Sequence, residues 1–584
     1  MVVIVAELTG VFPYMPSSKK KKIIPIAAAL RSELRKGYSF KKFHQDFVAA
    51  LVVSLVALPL SMALAIAVGL PPQHGIYTAI VAGIAAALLG GSTVQVSGPT
   101  AAFVVIVAPM VSQYGLRGLI IVEIMAGIAL IIFGIARLGR FINFVPYPVT
   151  TGFTSGIAVV LATLSLNDFL GLGIERLDGS YIEKLSLIIG HLPQMNIADG
   201  AIGLLTMLTI TEMRRFTKKI PGTIFGILAG SVAAYFLSRT GIEIATIGSK
   251  FSYVIDGITK HGIPPFPPYI HIPGFDKDTL FALPSYDEIR LLIGPAMVIA
   301  ALASLESLLS ATVADGMAGT KHYPNSELTG IGVSNILSGL AGGIPATGAI
   351  ARTATNIKAG ARTPFAAVMH AILIIFYVLL LAPLISYVPM ASLSALLLVT
   401  AYHMSHYKQF SHMIRIAPRA DVIVLLTCFG LTVFVDMAAG VSVGIVLAAF
   451  LFMQRIAELT ETKVETLNGG KKVKKTELKL PEDTMIYRIA GPLFFGTAEK
   501  ALDRSYVVME SIKKIIIDME KVPLIDMTGA VAMKSLLISE ASRGRTVILC
   551  GKKEIIEKIT HGISPATKKF VRVAKTVKQA IDNL

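Results

Sequence analysis

Ionisable side chains within long apolar segments are the residues of this sequence best placed to do chemistry. Arg352 lies in "GGIPATGAIARTATN", and Glu306 lies in "AMVIAALASLESLLSATVADGM". Charged groups in hydrocarbon are costly, so such residues commonly mark a pathway for a substrate or an ion. A guanidinium can hold an anion, and a buried carboxyl can gain and lose a proton. Ser310 lies one helical turn beyond Glu306 and is predicted to share its face.

Both of these charged residues also have structural interpretations. Arg352 could snorkel to a membrane surface or form a structural ion pair, and Glu306 could stay neutral and hydrogen-bonded. Glu123 and Asp436 lie in apolar stretches too, and packing or a lipid interface is the favoured interpretation of them.

Two glycine-rich segments interrupt the apolar pattern in the same way. They are "GGSTVQVSGPTAAF", from Gly90, and "GGIPATGAIARTATN", from Gly342. Non-helical backbone at bilayer depth survives only inside protein or against a watery cavity. A helix that restarts there presents free N–H groups and its positive dipole end, which suit an anion. Two breaks in corresponding halves predict an inverted-repeat transporter with its substrate between them. The alternative is that the glycines only permit close helix packing.

The composition places most of the chain in a membrane. With 54% hydrophobic and 16% charged residues in 584, a soluble fold would need an unusually large core. Apolar stretches near the spanning length of about 20 residues recur instead. They extend from residue 45 to residue 456. We therefore expect an all-α polytopic membrane domain.

The basic residues predict the orientation of this domain. When the apolar segments are counted as fourteen spans, almost all Lys and Arg residues lie in every second loop. Loops rich in Lys and Arg face the cytoplasm, so both termini are predicted to be cytoplasmic. The formal net charge of +17 does not indicate nucleic-acid binding, because aromatic residues are not interleaved with the cations. The basic residues of the predicted cytoplasmic segments include Lys19–Lys22, Arg137, Arg140, Arg214, Arg215, Lys218, Lys219, Lys321, Lys358, Arg362, Lys408, Arg415 and Arg419.

The last 100 or so residues have a different pattern. Short apolar segments, "TMIYRIAG", "KKIIIDM" and "RTVILCG", alternate with helical patterns and predict a small cytoplasmic α/β domain. It has no phosphate-binding glycine loop and no cluster of His, Cys and acid, so a binding or regulatory role is expected. The two cysteines, Cys428 and Cys550, do not suggest a disulfide. The predicted division is an N-terminal arm (1–43), a transmembrane domain (44–456), a linker (457–481) and the α/β domain (482–584).

Four long segments resemble the SulP family of anion transporters, also called solute carrier family 26. They are "LPLSMALAIAVGLPPQHGIYTAIVAG", "GGSTVQVSGPTAAFVV", "ESLLSATVADGMAGTKHYPNSEL" and "GGIPATGAIARTATN". Within the family, "FTSGI", "DFLGL" and "GPLFF" most resemble the enterobacterial aerobic C4-dicarboxylate transporters. The resemblance implies a membrane domain of 14 helices, arranged as two inverted seven-helix repeats that form a core and a gate and that move by alternating access. It also implies a C-terminal STAS domain and a homodimer.

The resemblance also implies which residues bind the substrate and the coupling ion. Family members that couple to sodium have Asp and Thr in helix eight where this chain has Glu306 and Ser310, so a proton is the better coupling ion and sodium the weaker one. Thr528 matches a phosphorylatable position of related STAS domains, although a plain capped helix start is the favoured interpretation. The implied substrate-binding residues are Leu60, Ala63, Ser97, Gly98, Thr100, Thr347, Gly348, Ala349, Ala351 and Arg352.

The sequence thus predicts a secondary active transporter of the bacterial inner membrane, without metal or cofactor. Its expected substrates are C4-dicarboxylates such as succinate, fumarate and aspartate, taken up with protons. A sulfate or bicarbonate carrier is the first alternative, and a channel or a membrane sensor is the second. An enzyme is not expected, because no nucleophile, base and orienting group cluster together. The partner of the STAS domain stays open.

Overall fold

The computed structural model divides into two compact units, Met1–Ile445 and Val446–Leu584. It describes residues 26–140, 145–217, 221–255, 258–271, 283–458, 461–465, 481, 483–495, 497 and 512–584. The basic run Lys19–Lys22, the pair Lys218 and Lys219, and most of the predicted linker lie outside these residues. The predicted domain limits at 43, 456 and 481 stay predictions.

The first half of the first unit consists of helices on both sides of one short non-helical break. Ser39 caps α2 by accepting the Lys42 N–H, and prolines at the first turns of α3 and α5 suit positions that need no N–H donor. Gly115, with φ 65°, bends α4 into two helical halves, a backbone conformation that favours glycine. The elements are α1 (Ala28–Arg35), α2 (Phe40–Ala67), α3 (Pro72–Leu89), β1 (Ser97–Pro99), α4 (Ala101–Ile135), α5 (Tyr147–Phe169), α6 (Tyr181–His191), α7 (Ile197–Phe216) and α8 (Gly222–Arg239).

The second half repeats the combination of long helices and a short break. A small hairpin precedes it, and α10 begins with a capping box in which Ser285 and Glu288 satisfy each other's backbone N–H. The elements are α9 (Ile247–Lys250), β2 (Ser252–Ile255), β3 (Ile258–His261), α10 (Tyr286–Ala318), α11 (Pro324–Leu340), β4 (Ala346–Gly348), α12 (Ile350–Lys358), α13 (Phe365–Ile385), α14 (Met390–Met404), α15 (Tyr407–Ile416), α16 (Arg419–Phe434) and α17 (Met437–Glu458).

The expected membrane character is confirmed, whereas the expected number of spans is not settled. Among the described residues, eight helices are long and apolar enough to cross a bilayer, namely α2, α3, α4, α5, α8, α10, α13 and α17. Several other helices are shorter, such as α12 with 9 residues and α14 with 15. A helix that starts in the middle of a membrane needs only part of the spanning length, so a count by length alone undercounts crossings.

The second unit contains the predicted α/β fold. Three predicted strands are present as β6 (Thr484–Ala490), β7 (Lys514–Lys521) and β8 (Thr546–Cys550). They form the centre of a five-stranded sheet of order β5-β6-β7-β8-β9, in which only the β5–β6 pair is antiparallel. Apolar residues on both faces of these strands are buried, as expected for a parallel sheet between helices. The other elements are β5 (Glu461–Glu465), α18 (Met527–Ser542), α19 (Lys553–Thr560), α20 (Pro565–Lys568), β9 (Val571–Ala574) and α21 (Val577–Asp582).

Candidate functional site

The two interruptions predicted from the sequence are present, and they meet. β1 pairs with β4 in an antiparallel ribbon, with Ser97 opposite Gly348 and Gly98 opposite Thr347. Helix α4 restarts two residues beyond β1, and α12 restarts two residues beyond β4. The pairing therefore brings two helix N-termini to one place, although the breaks are about 250 residues apart in sequence.

Polar side chains from other helices satisfy the backbone of the first break. Glu327 of α11 accepts hydrogen bonds from the N–H groups of Gly91 and Ser92, at 2.8 and 3.0 Å. Its second oxygen accepts one from the Gln95 amide at 2.8 Å. Thr353 of α12 accepts the Val96 N–H at 3.0 Å. These bonds replace the helical ones that this buried backbone lacks.

The second break is fixed in a similar way. Asn335 of α11 both accepts the Ala346 N–H and donates to the Ala346 carbonyl, each at 2.9 Å, as a neighbouring strand would. Ser307 of α10 accepts the Gly348 N–H at 3.0 Å, and its hydroxyl lies 2.7 Å from that of Thr347. Helix α11 thus contacts both breaks through two side chains eight residues apart.

Arg352 lies in the first turn of α12 with its guanidinium against the first break. It is 2% exposed, and its Nη2 donates to the Pro99 carbonyl at 2.9 Å and to the Ser61 hydroxyl at 3.3 Å. Its Nε and Nη1 make no hydrogen bond to any described residue. A Cβ atom on Gly98 would lie 2.7 Å from Nη1, so glycine is needed there for this close approach. The result is a buried cation in which two nitrogens, carrying three N–H groups, have no partner among the described residues.

Glu306 reaches the same break from α10. Its carboxylate accepts a hydrogen bond at 3.0 Å from the hydroxyl of Thr100, the residue just before α4. Ser310 is fully buried on the same helix, but its hydroxyl donates to Thr353 at 3.5 Å. The two α10 side chains therefore contact different parts of the site.

The remaining predicted residues are distributed unevenly around the paired breaks. Ala349 donates its N–H to the Val96 carbonyl at 2.9 Å, whereas Ala351 is exposed. Leu60 packs against a cluster that contains Ile210, Leu396 and Val399. Ala63 is buried and lines a small cavity bounded by α2, α5 and α14, which includes Ser165 and Asp168. Neither Leu60 nor Ala63 has a hydrogen bond to the break.

Sequence reasoning missed Ser61, Gln95, Ser307 and Glu327. Ser61 lies between the two predicted α2 residues and is the one that contacts Arg352. Glu327 had a detectable signal, because it is a carboxyl just inside "NSELTGIGVSNILSGL", a segment otherwise free of charge. The serine and the glutamine had none, since small polar residues occur throughout the helices.

In the C-terminal unit, Thr528 is exposed in the first turn of α18. Asp526 caps this helix by accepting the Gly529 N–H at 2.7 Å, and its other oxygen accepts the Phe495 N–H at 3.1 Å. Thr528 thus lies at a capped helix start, and its regulatory role stays a prediction. The only cysteine of this unit, Cys550, is buried beside Asp518 and Glu520, and burial first, then these carboxylates, raises the pKa of its thiol to about 12.

Comparison with known proteins assigns the family. A model of the sulfate permease family matches residues 43–428, and a STAS domain model matches residues 475–580. The chain belongs to the sulfate permease family. It is thus an integral membrane anion transporter with a C-terminal STAS domain.

Individual relatives agree with this assignment. The putative sulfate transporter YvdB of Bacillus subtilis is 37% identical over 90% of this chain and 94% of its own length. The bicarbonate transporter BicA of Picosynechococcus is 28% identical over 88% of this chain and 89% of its own length. The structure of the murine Solute Carrier 26 family member A9 anion transporter in its inward-facing state covers 100% of this chain and 97% of its own, with a TM-score of 0.81 and 16% identity. This last similarity concerns the fold.

Proposed function

We propose that the chain transports a small anion through a site between the paired breaks, with Arg352 as the cation that binds it. The observation that supports this most directly is the guanidinium itself. It is almost fully buried, yet two of its nitrogens, Nε and Nη1, have no partner among the described residues. An anion accepting hydrogen bonds from both nitrogens would satisfy them and supply the missing negative charge.

The energetics favour a bound anion over a purely structural arginine. A buried charge without a counter-charge costs several kcal/mol, and the known partners of Arg352 are two neutral oxygens, from Pro99 and Ser61. The N-termini of α4 and α12 add two positive dipole ends at the same ribbon. These dipole ends repel the Arg352 cation, and a bound anion would offset this repulsion.

A compact inorganic oxyanion is the substrate class that we favour. The relatives named above are called sulfate and bicarbonate transporters. These names favour a sulfate or bicarbonate carrier over the C4-dicarboxylates that the sequence predicts. One arginine and two helix termini suit either a monovalent or a divalent oxyanion, so the choice between sulfate and bicarbonate is left to experiment.

We further propose that Glu306 couples transport to protons. Its carboxylate and the Arg352 guanidinium contact adjacent residues of the first break, Thr100 and Pro99 respectively. An ionised Glu306 would repel an anion held nearby, and a protonated one would not. Proton binding and anion binding would therefore favour each other. Sodium stays the weaker candidate.

The finer architecture is also a proposal. We propose 14 membrane segments in two inverted repeats, which would place the paired breaks at the repeat interface near the bilayer midplane. Both termini would be cytoplasmic, the bacterial cytoplasmic membrane would be the location, and two chains would form a homodimer. Alternating access would then expose the site to one side at a time.

The decisive experiment is uptake by purified protein in proteoliposomes, with labelled sulfate, bicarbonate and succinate compared at two pH values with and without sodium. We expect Arg352→Ala to abolish uptake of the transported anion. Arg239→Ala is the matched control, because Arg239 is an exposed arginine that stacks on Tyr235, 5.1 Å from its ring centre. Normal uptake by a folded Arg352→Ala protein would refute the proposed site. Counterflow then tests the mechanism, since a channel shows no exchange acceleration and a sensor shows no flux.

A further inference from the structure

Helix α15 is amphipathic and lies between α14 and α16 in the chain. At 100° per residue, Phe410, Met413 and Ile414 lie on one side of α15, and Lys408 and Arg415 lie on the other. The helix has ten residues, too few to cross a bilayer. A short helix with this division lies in the plane of a membrane surface.

Only part of the apolar side is covered by protein. The Phe410 ring packs on that of Phe429 in α16, with centres 5.3 Å apart. Tyr147, at the start of α5, donates a hydrogen bond to the Gln409 side chain at 3.2 Å. These contacts attach α15 to the bundle. Ile414 is nevertheless 43% exposed, and Ile416, at the boundary between the two sides, is 67% exposed.

The other side is a basic surface, and Asp421, in the first turn of α16, is the nearest carboxyl along the chain. Lys408, His412 and Arg415 are exposed, and exposed Arg419 follows at the first residue of α16. The chain has no Asp or Glu from residue 401 to residue 420. Among the described residues, none of these four side chains forms an ion pair. Arg419 also lies at a helix N-terminus, where the dipole disfavours a cation.

We propose that α15 and Arg419 bind the headgroups of anionic phospholipids, of which phosphatidylglycerol is a representative. The charge of the surface requires an anionic partner, and the exposed isoleucines at its edge require an apolar one. A phospholipid provides both, because its phosphate would accept hydrogen bonds from Lys408 and the two arginines while its acyl chains cover Ile414 and Ile416. An acidic protein surface would match the charges but would leave these isoleucines uncovered.

The test uses the full chain in a neutral detergent, titrated calorimetrically with short-chain phosphatidylglycerol, with short-chain phosphatidylcholine and with inorganic phosphate. We expect tight binding of phosphatidylglycerol alone, weakened by rising salt. Each Lys or Arg near an anionic surface contributes about fivefold to affinity, so replacing Lys408, Arg415 and Arg419 together by Gln should weaken binding by about a hundredfold. The charge-preserving set Lys408→Arg, Arg415→Lys and Arg419→Lys should bind within about threefold of the wild type, because the headgroup attraction depends mainly on charge.

A matched control removes the same charge elsewhere. Lys568, Lys569 and Arg572 are exposed in the C-terminal unit, and replacing all three by Gln should leave phosphatidylglycerol binding unchanged. Equal affinity of the α15 glutamine variant and the wild type would overturn the proposal. So would equal binding of phosphatidylcholine, competition by inorganic phosphate at similar concentrations, or a loss of self-association in the glutamine variant without a loss of lipid binding. If the glutamine variant fails to fold, the salt dependence of phosphatidylglycerol binding by the wild type is the test. Binding that does not weaken as salt rises would overturn the proposal.

Discussion

At the scale of single residues, a cation and a carboxyl contact two consecutive residues, the last residue of β1 and the residue just before α4. Arg352 donates to the carbonyl of Pro99, and Glu306 accepts from the hydroxyl of Thr100. Any movement of this segment alters both contacts together. The protonation of Glu306 and the occupancy of the proposed anion site are therefore expected to be thermodynamically linked, and linkage is reciprocal.

We predict that Glu306→Gln removes the pH dependence of accumulation but preserves anion exchange. The amide imitates the protonated carboxyl, so the variant should bind anion at every pH as the wild type does at low pH. In the wild type, the affinity for the anion should rise by about tenfold as falling pH protonates Glu306. Uptake and exchange in proteoliposomes with and without a pH gradient measure both quantities.

Ser304→Ala serves as the control for this prediction, because Ser304 lies on the same helix but its hydroxyl donates to the Ala300 carbonyl within that helix. It should keep the pH response. A Glu306→Gln protein that still accumulates anion in response to a pH gradient would exclude the proposed proton role.

At the scale of elements, α11 positions both breaks. Glu327 binds the backbone of the first break and Asn335 binds that of the second. Eight residues of helix span about 12 Å, so the two side chains set a fixed distance between their attachment points. The ribbon formed by β1 and β4 has only three residues in each strand, which is too few to be stable without such support.

We predict that Glu327→Ala strongly destabilises the transmembrane unit. It leaves the N–H groups of Gly91 and Ser92 and the Gln95 amide without their acceptor, and each buried unsatisfied donor costs about 1–3 kcal/mol. A loss of at least about 3 kcal/mol is expected, measured by thermal unfolding in detergent. Glu212→Ala removes an exposed carboxyl paired with Arg215 and should have little effect. Equal unfolding temperatures for the two variants would contradict the role of α11.

At the scale of the whole molecule, all the residues of the proposed anion and proton sites lie in the first unit. The STAS domain contributes none of these residues. Its described surface includes an exposed Thr528 at a helix start, where a phosphate group would find the positive dipole end. A regulatory role for this position stays a prediction.

We predict that deleting residues from 482 onward lowers the amount of protein in the membrane or its transport rate, without changing which anion is preferred. The physical reason is that the deletion removes none of the residues that form the proposed anion and proton sites. Competition between labelled sulfate, bicarbonate and succinate, normalised to the protein present, measures preference separately from rate. A changed order of preference would show that the domain contributes to selection.

The sequence by itself determined the membrane character, the two interruptions and the central strands of the C-terminal sheet. These features follow from local patterns, because hydropathy over about 20 residues, glycine pairs and short β-branched runs each act within one segment. Arg352 and Glu306 could be selected on the same ground, since a charge in an apolar segment stands out without any knowledge of its neighbours.

Only the tertiary structure decided how these segments meet. The pairing of Gly98 with Thr347, the contact of Arg352 with Ser61 rather than with Leu60 or Ala63, and the attachment of both breaks to α11 each join residues far apart in sequence. A hydrogen bond depends on distance and direction within a few tenths of an ångström, and small polar residues such as Ser61 look alike wherever they occur in a helix. Their partners are therefore fixed by helix packing, which no single segment encodes.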